Sequence, residues 1–172
     1  SYPASFQGNK REVYLSGEAL FDVVPDPSKP FYVLTLDMRI KVTGTRFNVT
    51  SYRNDQTTQT VLINGKVLAK ENKRFASEIE LEPGERVTYN KENEQLLKDK
   101  VNVELYSSWI NGYLIFENET VVKIFKKLER YYDKQIITDG ISDEATFSGK
   151  LDLADNLENV LGNISFSASY II

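Results

Sequence analysis

The sequence predicts an α+β chain, with an all-β part first, either a sandwich or a rolled sheet, and a small βαβ-βαβ part after it. Three observations carry that prediction. Up to about residue 90, apolar residues recur at every second position in short runs broken by Gly, Pro and Asn. Beyond Trp109 two stretches switch to three- and four-residue spacing, the period of a helix with one buried stripe. Hydrophobic residues make up 41% of the 172, enough to build cores and too many for a disordered chain. The expected division is an all-β domain over residues 1–90, a connecting segment over 91–107, and an α+β domain over 108–172 whose last strand is clipped.

The first half reads as strand after strand. In "EVYLSGEALFDVV", Val13 and Leu15 and then Ala19, Phe21 and Val23 alternate around Ser16-Gly17. Prolines at 25, 27 and 30 forbid helix in "PDPSKPFYVLTL" and mark a loop or a sheet edge. "RIKVTGTRFNVTSY" alternates Ile40, Val42, Phe47 and Val49, with Gly44 at a bend or bulge. "TVLINGKVLAK" predicts a hairpin, because Asn64-Gly65 tolerates the positive φ angles of a type I′ turn. In "ELEPGERVTY", Pro83-Gly84 is the pair expected at the centre of a type II turn. The more polar "NKENEQLLKDKVNVEL" reads as a connection holding one strand.

The second half begins with the short strand "GYLIFEN". A helix follows in "ETVVKIFKKLERYYD", with Val121, Phe125, Leu128 and Tyr132 on its buried stripe. Asn118 is the expected N-cap, and Glu119 and Lys123 stand at the spacing of an ion pair on one helix face. "KQIIT" reads as a strand, "DGISDEA" as a turn and "TFSGKLDL" as another strand. In "DNLENVLGNISF", Leu157, Val160, Leu161 and Ile164 share a helical face, and Asp155 with Glu158 has the spacing of a capping box. "ASYII" closes the second unit as a strand.

Composition excludes more chemistry than it offers. With no histidine and no cysteine, the commonest general base, the Ser-His and Cys-His nucleophile pairs and nearly all catalytic zinc sites are unavailable. A net charge of −4, with Lys and Arg dispersed among acids, offers no basic stripe to a nucleic acid. No apolar run approaches the ~18 residues that cross a bilayer. The opening "SYPASFQ" reads as a cut edge, so the chain is expected to be a piece of something longer.

The remaining candidates for chemistry have simpler readings. Glu18 and Asp22, four apart in one strand, would stand more than ~10 Å apart at about 3.3 Å per residue, beyond the carboxylate spacing of a glycosidase. "DGISDE", Asp139 to Glu144, and "DLADN", Asp152 to Asn156, have oxygen ligands but lack the alternation of an EF-hand loop, and polar turns explain both. Sequons at Asn48, Asn118 and Asn163 are short enough to arise by chance. The ten Tyr and nine Phe fall mostly on in-pattern positions, where core packing explains them. Trp109 and Tyr113 fall at the domain boundary, where a half-exposed aromatic can join two modules. No catalytic residue, cofactor or metal is expected.

Five segments in order resemble the FecR family of anti-sigma regulators: "REVYLSGEALFDVV", "KPFYV", "IKVTGTRFNVTSY", "VLINGKVLA" and "LEPGERVTYN". The residues that carry the resemblance are Gly17, Glu18, Ala19 and Phe21; Lys29, Pro30 and Phe31; Gly44, Thr45, Phe47, Asn48 and Val49; Gly65, Lys66 and Val67; and Leu81, Pro83, Gly84 and Glu85. They are residues of turns and cores, so the motif is a scaffold. The second half is similar to the domain that follows the FecR domain in many glycan- and iron-uptake regulators, itself similar to the signalling domain of TonB-dependent transducers. At the start of the first helix this sequence has Thr120-Val121 where the family pattern has Pro-Leu.

The resemblance implies the periplasmic portion of a single-pass inner-membrane protein, whose cytoplasmic segment and membrane helix fall outside this sequence. The implied partners are the signalling domain of a TonB-dependent outer-membrane transporter and an extracytoplasmic-function sigma factor, the latter held by the cytoplasmic segment. The expected docking surface is an edge strand near Phe147, Gly149 and Leu151, or near Tyr170 and Ile171 in the uncharged terminal "ASYII". An alternative of another class is a periplasmic glycan-binding module, which would display a row of surface aromatics.

Overall fold

The computed structural model describes Phe6, residues 8–137 and residues 145–168, with side chains up to Ile164. The chain divides into two compact units, Ser1–Val103 and Glu104–Ile172.

Among the described residues the first unit holds ten strands: β1 (Arg11–Tyr14), β2 (Gly17–Val23), β3 (Phe31–Leu34), β4 (Met38–Val42), β5 (Thr45–Ser51), β6 (Thr57–Asn64), β7 (Val67–Glu71), β8 (Ile79–Leu81), β9 (Glu85–Asn90) and β10 (Gln95–Lys100). They form two five-stranded sheets, ordered β1-β3-β4-β7-β8 and β10-β9-β6-β5-β2. Every pairing is antiparallel except that of β1 with β3. The period-two pattern is the reason for two layers. In β4, Met38, Ile40 and Val42 point inward while Arg39 points to solvent. Met38, Ile40 and Val67 of one sheet share a single core with Phe47, Val49, Leu62 and Val87 of the other. Each such side chain gains about 1.5–3 kcal/mol by leaving water. Of the two expected alternatives, the sandwich is the one formed.

Asn64-Gly65 does not make the hairpin its sequence predicts. β6 pairs with β5 and β9, whereas β7 pairs with β4 and β8, so the chain crosses between sheets here. A type I′ turn needs positive φ at both central residues, and Gly65 (φ 96°) has it where Asn64 does not. Crowding explains the glycines: a Cβ at Gly65 would lie 2.7 Å from the Gly44 carbonyl oxygen, and one at Gly44 would lie 2.6 Å from Pro25 Cα. The Thr45 hydroxyl donates to the Lys66 carbonyl at 2.8 Å and fixes the corner. The Pro83-Gly84 turn forms as expected, with Gly84 at φ 85° and the Glu85 amide donating to the Glu82 carbonyl at 3.0 Å. It too carries the chain from one sheet to the other. β10, the one strand foreseen in the polar connection, pairs with β9.

At one end of the sandwich, a polar group joins the sheets. The Thr58 hydroxyl donates to Asp37 Oδ2 at 2.6 Å and lies 3.2 Å from the Ser51 hydroxyl. Lys91 Nζ stands 3.6 Å from the same carboxylate oxygen and donates to the Tyr52 carbonyl at 2.9 Å. Burial strengthens such bonds and makes a lost partner costly.

The second unit has a 3₁₀ turn at Ser108–Asn111, then β11 (Tyr113–Thr120), α1 (Val121–Tyr132), β12 (Thr146–Asp152) and α2 (Leu157–Ala168). Val121, Ile124, Phe125 and Leu128 of α1 pack with Val160 and Ile164 of α2 and with Leu114, Phe116 and Leu151 of the strands. Here the expected βαβ-βαβ order is met only in part. The strand–helix pairs β11-α1 and β12-α2 are present, and β11 and β12, one from each expected unit, pair antiparallel. Lys134–Ile137 of the expected "KQIIT" strand is not in a strand, because Glu129 takes its amides: the Lys134 N–H bonds the Glu129 carbonyl and the Ile136 N–H the Glu129 side chain at 2.8 Å. The "DGISDE" turn and Ser169–Ile172 lie outside the described residues, and Ala168 ends α2 instead of opening a strand.

Both expected helix caps slip. Asn118 sits in β11 at φ 50°, beside the bulge between Phe116 and Glu119, and Thr120 is the residue before α1. Glu119 is therefore in the strand and pairs with Lys127 instead of Lys123. At α2, Asn156 Oδ1 accepts from the Asn159 amide at 2.9 Å, so Asn156 caps the helix in place of Asp155.

Candidate functional site

β12 and α2 frame a groove that Phe147, Gly149 and Leu151 share. β12 alternates: Phe147 and Leu151 face the core, Gly149 lies between them on the same side, and Ser148, Lys150 and Asp152 face outward and are exposed. Among the described residues β12 pairs with β11 alone. The outer edge of β11 is partly covered, since the Ile115 amide reaches the Ser108 hydroxyl at 3.4 Å.

Beside β12 runs a groove of about 530 Å³, lined among others by Phe116, Ile124, Gly149, Leu151, Val160 and Ile164. Ile124, Val160 and Ile164 are core residues, so the groove looks directly onto the packed interior of the unit. The ring of Phe116, opposite Gly149, occupies the space a Cβ there would need. At the Leu151 end stand two exposed carboxylates, Asp152 and Asp155. Lys150, the cation on this strand, also lines the groove, and its Nζ lies 3.7 Å from the Tyr113 ring centre.

The loop that carries Asp155 is fixed from below. The Tyr132 hydroxyl donates to the Asp155 carbonyl at 2.9 Å and to the Leu153 carbonyl at 3.2 Å. Burial pushes the Tyr132 phenol above its ordinary value, so it stays a neutral donor. The Asp152 carboxylate accepts from the Ala154 amide at 2.9 Å, which tightens the same turn. The amide of Asn118 donates to the Ser148 hydroxyl at 3.0 Å and holds the strand at its bulge.

The expected docking residues thus separate. Phe147, Gly149 and Leu151 come together on one strand, whereas Tyr170 and Ile171 lie outside the described residues. The groove floor from α1 and α2, and Asp155 at its rim, were not foreseen as site residues. Their signal was the helical stripe, which reads as core.

The family-motif residues form a scaffold in the first unit. Phe21 stacks on Phe47 at 5.2 Å, and Phe21 and Phe31 stand 5.8 Å apart. Asn48 donates to Glu18 Oε1 at 2.8 Å on the outer face of its sheet, and Pro30 accepts from the Arg11 amide at 2.8 Å. Glu18 thus binds Asn48 and Thr50, and Asp22 stands opposite Arg46, so the pair has partners of its own within the sheet. Among the described residues no cluster of acids could hold a metal ion. The most exposed aromatics, Tyr14, Phe75 and Tyr131, stand on β1, on the loop after β7 and on α1, and they do not make the row on one sheet face that glycan stacking would use. Trp109 packs against the core of the second unit and donates its indole N–H to the Tyr106 carbonyl. No helix among the described residues is long and apolar enough to cross a membrane.

Two family profiles match the chain: "FecR protein" over residues 2–68 and "FecR, C-terminal" over residues 113–171. Two crystal structures of a candidate anti-sigma factor from Parabacteroides distasonis ATCC 8503, at 1.65 Å and 2.50 Å resolution, superpose with TM-scores of 0.84 and 0.83. They are 30% and 31% identical to this chain over 98% of its length and 78% of theirs. No curated protein matches.

Proposed function

Because the chain belongs to the FecR family, we propose that it is the periplasmic sensor and relay portion of a transmembrane anti-sigma regulator. In this reading the second unit takes the signalling domain of a TonB-dependent outer-membrane transporter against the surface of β12. A cytoplasmic segment beyond this sequence, joined by a membrane helix, holds an extracytoplasmic-function sigma factor. The chain works by contact and does no chemistry of its own.

The observation that carries the reading is the match of both units to the family, with a groove of about 530 Å³ beside β12 in the second unit as the place for a partner. A docked segment would cover the groove with its side chains. The motif residues of the first unit support the same reading, since they build turns and a core and leave recognition to another surface.

The test is calorimetric titration of the full chain with the purified signalling domain of the TonB-dependent transporter encoded beside it, with a glycan panel in parallel. Saturable binding to that domain, at about micromolar strength, is expected. Heat from a glycan and none from the domain would replace this reading with the sugar-binding one.

A further inference from the structure

We propose that the end of the first unit where β1, β3 and β7 finish rests on a bilayer surface carrying anionic headgroups. Tyr14, Leu36 and Phe75 enter the interface, and Arg39, Lys41 and Arg74 face the headgroups. The inference uses the first unit alone, so it goes beyond the docking reading above and does not stand or fall with it.

Three large apolar side chains stand in water at this end: Tyr14, Leu36 and Phe75 are 73%, 70% and 88% exposed. Strand pairing brings their segments together. Tyr14 ends β1 opposite Leu34, the last residue of β3, and Leu36 follows in the turn to β4. Glu71, the last residue of β7, stands opposite Met38, and the Asn72 side chain then donates to the Thr35 and Leu36 carbonyls at 2.9 and 3.0 Å. The loop that starts there bends at once, the Ala76 amide bonding the Lys73 carbonyl at 3.3 Å, with Phe75 inside the bend. Exposed apolar groups gathered in one place mark a contact surface.

Cations line the sheet face behind them. Register puts Arg39 directly opposite Lys70, with Lys41 two residues along the same strand and on the same face. Like charges set opposite each other destabilise a sheet, and a layer of anions relieves that repulsion. The Arg39 guanidinium lies 5.5 Å from the Tyr32 ring centre and that of Arg74 5.4 Å from the ring centre of Phe75. Acids stand here too, but other cations hold them: Lys10 pairs with Glu12, Lys73 with both Glu71 and Glu94, and Lys70 reaches Glu78 at 4.0 Å. Asp37 is engaged by Thr58 and Lys91, and Asp55 and Glu92 lie on turns of the other sheet. Among the described residues no ion pair holds Arg39, Lys41 or Arg74. Apolar tips on three separate segments, with unpaired cations beside them, match a surface that is apolar below and anionic above.

The experiment is flotation of the full chain with vesicles of phosphatidylglycerol and phosphatidylethanolamine, and with vesicles of phosphatidylcholine alone, at low and high salt. A column of immobilised polyglutamate runs in parallel. The wild type is expected to float with the anionic vesicles at low salt and to be released at high salt. Arg39→Glu with Lys41→Glu is expected to lower partitioning about tenfold and to remove most of its salt dependence. Leu36→Ser with Phe75→Ser is expected to lower it by about as much and to keep the salt dependence. Thermal melting reports whether each variant folds as the wild type does, and the wild type carries the test in either case. A wild type that floats with neither vesicle overturns the inference, as does equal partitioning by all three proteins. Retention on polyglutamate without flotation also overturns it and gives the surface to an acidic protein segment.

Discussion

Phe116 and Gly149 stand directly opposite each other across the β11–β12 pair, and a Cβ added at Gly149 would lie 3.1 Å from Phe116 Cζ. The ring covers the glycine, an aromatic filling the place of a missing side chain. Gly149→Val is therefore expected to cost about 1–3 kcal/mol of unfolding free energy, because the ring is held by the core and gives little room. Phe116→Ala alone is expected to cost about 3–5 kcal/mol. In the double variant the two costs should fall short of their sum, as expected of touching residues. Denaturant unfolding of the four proteins measures this, and strict additivity would contradict the contact.

The corner where the chain changes sheets is the second place where a methyl group has no room. Gly44→Ala puts a Cβ against the backbone of Pro25, which cannot rotate away, and is expected to cost about 1–3 kcal/mol. Gly65→Ala meets the Gly44 carbonyl and also pays for its positive φ, so it is expected to cost more than Gly44→Ala. Thermal melts of the two variants give the order. A neutral Gly65→Ala would mean that the corner is looser than described.

Thr58→Val keeps the shape of a fully buried side chain and removes its hydroxyl. Asp37 then loses its 2.6 Å donor, and the expected cost is about 1.5–3 kcal/mol. Thr57→Val, one residue away and less buried, is expected to stay within about 0.5 kcal/mol. Equal effects from the two would remove the polar group from the account of what joins the sheets.

Acid should weaken the first unit through two surface carboxylates. The Ser28 hydroxyl, followed by the amides of Lys29 and Ser28, holds Asp26 below its ordinary pKa, and the Glu82 amide, followed by the Lys98 ammonium, does the same for Glu85. A group whose folded pKa is depressed adds stability above its unfolded pKa, about 3.9 for Asp and 4.3 for Glu, and loses it as pH falls through the folded value. Unfolding midpoints are thus expected to drop between about pH 5 and pH 2, and Asp26→Asn with Glu85→Gln should make that drop shallower. An unchanged pH profile in the double variant would assign the acid sensitivity to other groups.

How much of this was legible from sequence follows from the range of each interaction. Met38, Ile40 and Val42 name their strand and its buried face because alternation is local. Asn64-Gly65 misled because a turn signal says that the chain bends and not which sheet receives the next strand; the crowding of Gly44, Pro25 and Gly65 decides that. Asn118 looked like a helix cap for the same reason: its positive φ serves the bulge against Ser148, thirty residues away. Phe147, Gly149 and Leu151 were readable as one strand, but the groove beside it was not, since Val160 and Ile164 carry an ordinary core pattern. Whether a stripe is covered on every side is a property of the assembled unit.

Amide hydrogen exchange of the full chain, with and without the transporter's signalling domain, tests the central claim most directly. The account predicts that protection on binding appears in Phe147–Leu151 and at the facing turns of α2, with the strands of the sandwich little changed. Protection centred on the sandwich, with β12 exchanging as in the free chain, would contradict it.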